Sequence, residues 1–171
     1  MPRICIDLNV WCGAFLSQSL GRSGTATRTI VEAARRGECA RGDLTLVISW
    51  GMLDRLAMVL TRDFKFAPAY VADLTKAISG YATDGPSLTL GGVGVPPIHD
   101  SEDRHVLETA WSGRADILTT ADLRGFVDAD SEVLVPDRVY RLLRADRSLI
   151  VAHPFGTAAW LRGDDAFGID D

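Results

Sequence analysis

The stretch "DSEDRHVLETAWSGRADILTTAD", residues 100–122, decides the fold. Its first half puts Val106, Leu107, Ala110 and Trp111 on one face of a helix, and Gly113 ends that helix. Its second half, "ADILTT", is a hydrophobic strand that closes on a polar tip at residues 120–122. A helix feeding a buried strand is the repeating unit of an α/β sheet. Asp100 stands where a helix N-cap is expected, with Asp103 three residues on. Asp103 precedes Val106 and Leu107 by one helical turn, so it belongs to the buried side, near the carboxyl edge of the sheet.

The alternation continues in both directions. "RICIDLNVW", residues 3–11, begins as a strand over residues 3–8 and carries Asp7 near its end. Polar "SQSLGRSG" follows as a loop, and "TATRTIVEAARRG" as a helix with Ile30, Val31 and Ala34 on one face. "LTLVIS", residues 44–49, is a second strand. It runs into "WGMLDRLAMVLTRDF", where Leu53, Leu56, Ala57 and Leu60 form a helical stripe. "PAYVADLTKAISGYA" is a further helix with Val71, Leu74 and Ile78 inward. Residues 84–98, rich in Gly and Pro, read as a loop around a short strand. Beyond the central stretch, "SEVLV" and "LIVAH" are strands and "PDRVYRLLRADR" is a helix between them. These elements predict an α/β domain with a mostly parallel sheet and helices on both faces, over residues 1–162. The acidic tail, residues 163–171, is expected to fray or to await a partner.

Composition narrows the class. The chain has 171 residues, 47% of them apolar, enough for one core. No apolar run approaches the ~20 residues that span a bilayer. Asp7 and Asn9 interrupt the only early apolar stretch, so no signal peptide is read, and a cytoplasmic protein with no membrane partner is expected. Cys5, Cys12 and Cys39 are an odd set without paired spacing and read as small apolar fillers. The net charge of −5 argues against a broad nucleic-acid-binding surface, although bound metal can neutralise a cluster of acids.

In open parallel sheets, ligands bind beyond the carboxyl ends of the strands. Those ends carry Asp7 with Asn9, then Ser49, then Thr120 with Asp122. Singly, each has an ordinary reading: Asp7 as a cap, Asp100 and Asp103 as complements to a helix dipole, Asp122 as a turn residue. Together they are carboxylates that repel one another unless a cation lies between them. A hard divalent ion, Mg²⁺ or Mn²⁺, suits oxygen ligands of this kind.

On these residues the chain resembles the PIN-domain family of metal-dependent nucleases, which includes VapC-like toxins of toxin–antitoxin pairs. The matching segments are "ICIDLNVW", "ISWGMLDRLAMVL", the 100–122 stretch and the terminal "LIVAHPFGTAAWL". The resemblance implies a three-layer α/β/α fold and a Mg²⁺- or Mn²⁺-dependent ribonuclease, with an antitoxin partner and a homodimer. It places the catalytic and metal-binding acids on Asp7, Asp103 and Asp122, and the supporting polar residues on Asn9, Ser49 and Thr120. One departure stands out. The family carries a Glu on the helix after the Ser, where this chain offers Asp54 and then Arg55. Asp54 or Asp100 could assist through water; otherwise the site holds three acids, or catalysis is impaired with Arg55 offsetting charge. The alternative function is therefore a degenerate domain that binds RNA or a protein without cleaving. A receiver-like phospho-acceptor domain also clusters acids at strand ends, but neither Lys65 nor Lys76 stands at a late strand end as that reading needs.

Other candidates have ordinary explanations. His99, His105 and His153 lack metal-ligand spacing and read as loop, helix-flank and strand-end residues. Arg138, Arg141, Arg144 and Arg147 recur every third residue and read as a solvated helical face. The four tryptophans read as core or contact residues rather than base-stacking platforms. Neither a phosphate-binding Gly-rich loop nor a G-x-S-x-G nucleophile motif is present.

Overall fold

The computed structural model describes residues 1–87, 101–128, 130–144 and 147–168. The chain runs β1 (Arg3–Ile6), α1 (Leu8–Ser19), α2 (Ala26–Arg36), a small hairpin of β2 (Glu38–Cys39) and β3 (Gly42–Asp43), and β4 (Thr45–Val47). It continues through α3 (Trp50–Arg62), α4 (Pro68–Ser79), α5 (Ser101–Ser112), β5 (Ile117–Thr119) and a 3-10 turn (Leu123–Gly125). It ends with β6 (Glu132–Val135), β7 (Val139–Arg144), β8 (Arg147–Ala152) and α6 (Pro154–Leu161).

Six strands form one sheet in the order β4-β1-β5-β8-β7-β6. The first four are parallel: Ile4 pairs with Leu46 on one side and Ile117 on the other, and Leu118 pairs with Val151. β7 and β6 extend the sheet antiparallel. The connection from β1 to β4 and that from β4 to β5 move in opposite directions across the sheet. Right-handed crossovers then put α1 and α2 on one face and α3 to α5 on the other. This is the expected three-layer arrangement. A parallel strand covered on both faces has no polar side, and Ile4, Cys5 and Ile6 are fully buried.

Several elements differ from the sequence reading, the β2–β3 hairpin among them. Residues 8–19 form α1 rather than a strand end and a loop. Val10, Trp11, Cys12, Ala14 and Phe15 are all buried, so the apolar residues circle the helix instead of marking one stripe. The helix expected over "PDRVYRLLRADR" is a strand. Pro136 and Asp137 (φ 58°) form a tight turn closed by Arg138 N–H donating to Val135 O at 3.1 Å. β7 then pairs with β8 from Val139↔Ala152 to Arg144↔Arg147. Pro136 thus opens a hairpin, not a helix, and the arginine row has no helical face: Arg141 lies on β7, pairing Glu132 at 3.0 Å. Finally, α6 follows β8, with His153 as its N-cap and Pro154 in its first turn.

The expected strand within residues 84–98 lies almost wholly outside the described residues. Ser87 alone bridges Ser49, its N–H donating to Ile48 O at 2.9 Å. Of the tail, Phe167 is buried and stacks on Trp160 with ring centroids 5.4 Å apart.

Gly113 closes α5 where no side chain fits. A Cβ there would collide with Val47 Cγ1 and lie 3.0 Å from Thr109 O. Gly113→Ala is expected to destabilise the fold by about 1–3 kcal/mol in urea unfolding. Adding Val47→Ala is expected to restore part of the loss.

Candidate active site

β1 ends against Thr119, whose carbonyl accepts from Asp7 N–H at 3.0 Å. Asp7 then turns the chain into α1 as its N-cap. Its carboxylate accepts three hydrogen bonds: Leu8 N–H at 2.6 Å, Asn9 Nδ2 at 2.7 Å and Thr120 Oγ1 at 2.7 Å. Asn9 Oδ1 accepts from Ala121 N–H at 3.0 Å, and Thr120 Oγ1 accepts from Asp122 N–H at 3.0 Å. Asp122 in turn caps the 3-10 turn through Arg124 N–H at 3.2 Å. One network therefore locks the end of β1 to the turn after β5.

That network forms one wall of a cavity of about 510 Å³. Asp7, Asn9 and Asp122 line it from the sheet edge, Asp103 and His105 from α5, and Arg55 from α3. Leu8, Cys12, Val59 and Phe64 make its apolar side. Two glycines admit the α5 side chains. A Cβ at Gly125 would overlap the Asp103 carboxylate, and one at Gly51 would overlap the His105 ring. His105 Nε2 lies 3.3 Å from Ser49 Oγ, and Ser49 caps α3 through Met52 N–H at 3.2 Å.

Of the sequence-predicted residues, Asp7, Asn9, Asp103 and Asp122 meet at this cavity, and Thr120 holds Asp7 from behind. Ser49 is fully buried and reaches the cavity only through His105. Asp54 is not brought to it: its side chain lines a different groove, between α3 and α4, with Trp50 and Lys76. Asp100 and His99 lie outside the described residues. Arg55 faces the acids, one of the alternatives the sequence left open, whereas His105 was read as a helix-flank residue. The signal for His105 was Gly51, a residue unfavourable inside a helix and placed where a ring must pass.

Burial pushes the Asp7 carboxyl above its usual range; the bonds from Thr120, Leu8 and Asn9 pull it down, and the Asp122 carboxylate adds to the rise. Burial, helped by Asp7, also raises the Cys12 thiol to about 11, so it stands neutral at pH 7.

A PIN domain model matches residues 3–124, well over half of the chain. The chain belongs to the PIN-domain family. Searches of curated proteins and of solved structures find no significant match. PIN domains are generally nucleases that use divalent metals, bind RNA and often pair with antitoxins, and this chain has their nuclease-type fold. No helix among the described residues is long and apolar enough to cross a membrane.

The PIN domain here fits a cation by the kind of its donors. Three carboxylates line one cavity, and a cation would relieve the burial penalty on Asp7. Among the described residues no three His, Cys, Asp or Glu side chains draw together tightly enough to hold an ion as they stand. The α3 wall brings a guanidinium, Arg55, to the same space. The acids thus suit a cation by kind, while their spacing among the described residues leaves them apart.

Two outcomes follow. Gly125→Ala is expected to displace the Asp103 carboxylate and weaken Mn²⁺ binding about tenfold or more by calorimetry, with little change in thermal unfolding. The second concerns pH. The folded Asp7 carboxyl binds its proton more tightly than the unfolded one, so between the unfolded value of 3.8 and the raised folded value the native state carries more protons. In chelator, stability is expected to fall as pH rises through that window. Urea unfolding of Asp7→Asn is expected to lack this fall.

Proposed function

We propose that this PIN domain is a divalent-metal-dependent ribonuclease that hydrolyses RNA phosphodiester bonds, and that it is the cytoplasmic toxin of a toxin–antitoxin pair. The observation that carries the enzymatic part is the buried, hydrogen-bonded Asp7 sharing one cavity with Asp103 and Asp122. The toxin role, the antitoxin and a homodimer rest on the family alone.

In this reading Asp7, Asp103 and Asp122 would hold one Mg²⁺ or Mn²⁺, and Asp54, which lines the α3–α4 groove, would take no part. An ion bound there would supply positive charge, which makes a water more acidic and offsets negative charge on the phosphate. The chain's own residues do the rest. Thr120 and Asn9 fix the Asp7 carboxylate, as supporting partners of a metal ligand do. Arg55 grips a non-bridging phosphate oxygen, a task for which the guanidinium fork is suited. His105, held by Ser49 through Nε2 and seated on Gly51, borders the same space. The apolar side of Leu8, Val59 and Phe64 limits water around the phosphate.

A second reading has its own support. A guanidinium stands on the wall where the family carries a Glu, and among the described residues the acids share the cavity without closing on one point. Those features suit a domain that binds RNA without cutting it.

The test is cleavage of single-stranded RNA with Mn²⁺ against EDTA. The enzyme reading expects Mn²⁺-dependent products and a loss of about a hundredfold or more in Asp122→Asn. Products that are absent, or equal in Asp122→Asn, would favour the binding domain. Arg55→Ala is expected to raise KM about tenfold and to leave Mn²⁺ affinity within a few-fold. A variant that instead gains rate would mark Arg55 as a block.

A further inference from the structure

The carboxyl edge of the sheet carries a second cavity, of about 440 Å³, which the acidic site does not use. Thr25 and Thr27 line it from the start of α2, His153, Phe155 and Arg162 from α6, and Ala121 from the turn after β5. Ala121 is the shared wall. The next residue, Asp122, lines the acidic cavity, and so does Asn9, which accepts the Ala121 N–H. A chain leaving one cavity enters the other across a single residue.

We propose that this second cavity is a nucleotide subsite, taking one unpaired base and its phosphate from the RNA strand whose neighbouring phosphate lies at Asp7, Asp103 and Asp122. The proposal rests on the ribonuclease reading above and names where its single-stranded substrate runs. Phe155 decides it. The ring is 59% exposed on the first turn of α6. It is not loose: the His153 ring lies against it with centroids 5.1 Å apart, and the Arg138 guanidinium stands 5.6 Å from its centre. An exposed aromatic ring held by a second ring and an arginine is the platform on which single-stranded bases stack.

Charge favours an anionic ligand over an apolar strip, and the exposed Phe155 ring selects a base-bearing one. The chain carries a net −5, yet this mouth gathers Arg138 and Arg162, and both α2 and α6 begin at it. Asp164, exposed, lies 3.8 Å from Arg162. The hydroxyls of Thr25 and Thr27, 3.4 Å apart, add polar contacts on the opposite wall. The volume lies in the range of ordinary ligand pockets.

The test is fluorescence anisotropy of a short labelled single-stranded RNA with the full chain in EDTA, where cleavage is silent. Phe155→Ala is expected to weaken binding about tenfold and Phe155→Tyr to retain it, with unfolding in urea unchanged for this exposed side chain. Arg138→Ala is expected to weaken binding and to flatten its salt dependence. A perfect RNA duplex is expected to bind wild type and Phe155→Ala alike. The proposal is overturned by Phe155→Ala binding RNA as wild type does, or by Phe155→Ala losing self-association or a protein partner while keeping RNA. If wild type cleaves RNA with Mn²⁺ but Phe155→Ala keeps its Kd and KM, the subsite falls and the ribonuclease reading stands. If wild type neither binds nor cleaves RNA, both fall.

Discussion

The structure turns on the Asp7 carboxylate. It sits 5% exposed at the point where a fully buried strand becomes a buried helix. A charge there is costly unless it is hydrogen-bonded, and three donors from three different residues supply those bonds. The bonds also do architectural work. Through Thr120 and Asn9 they join the end of β1 to the turn that carries Asp122, so the central parallel pair cannot slip without breaking them. The same burial that makes the group expensive raises its affinity for a proton and, by the same electrostatics, for a cation. Fold and candidate chemistry thus rest on one side chain.

Much of this was legible in the chain itself. The 100–122 stretch reads as a helix, a strand and two acids near the carboxyl edge of the sheet, and those acids do share a cavity. The strand ends could be read because parallel strands are apolar throughout and stop on polar residues. The elements that escaped did so for physical reasons. The first helix is buried around most of its circumference and shows no stripe. The β6–β7 hairpin hid behind Pro136, which starts helices and turns alike; only φ at Asp137 and the register with β8 tell them apart. Arg55 and Asp54 sit side by side in sequence, and sequence alone left open which of them faces the acids. One residue of helix rotation, about 100°, sends Arg55 to the cavity and Asp54 to the α4 groove.

That rotation has consequences for the chemistry. A PIN domain with a guanidinium on its α3 wall has less acidic charge to neutralise and less capacity for a second ion. In the ribonuclease reading, Arg55 is a cation beside the substrate phosphate. The glycines at 51 and 125 follow the same logic: each leaves room for an α5 side chain to lean into the cavity. The second cavity at the same edge, beyond Ala121, extends the surface in the direction a single strand would take.

The most direct measurement is the titration of the Asp7 carboxyl carbon by NMR in the intact chain, with EDTA and then with Mg²⁺. The account expects a pKa raised above 3.8 in EDTA that drops on adding Mg²⁺, and no drop in Asp122→Asn at the same Mg²⁺. An Asp7 titration that Mg²⁺ leaves unmoved would contradict the claim that this buried carboxylate faces a cation site.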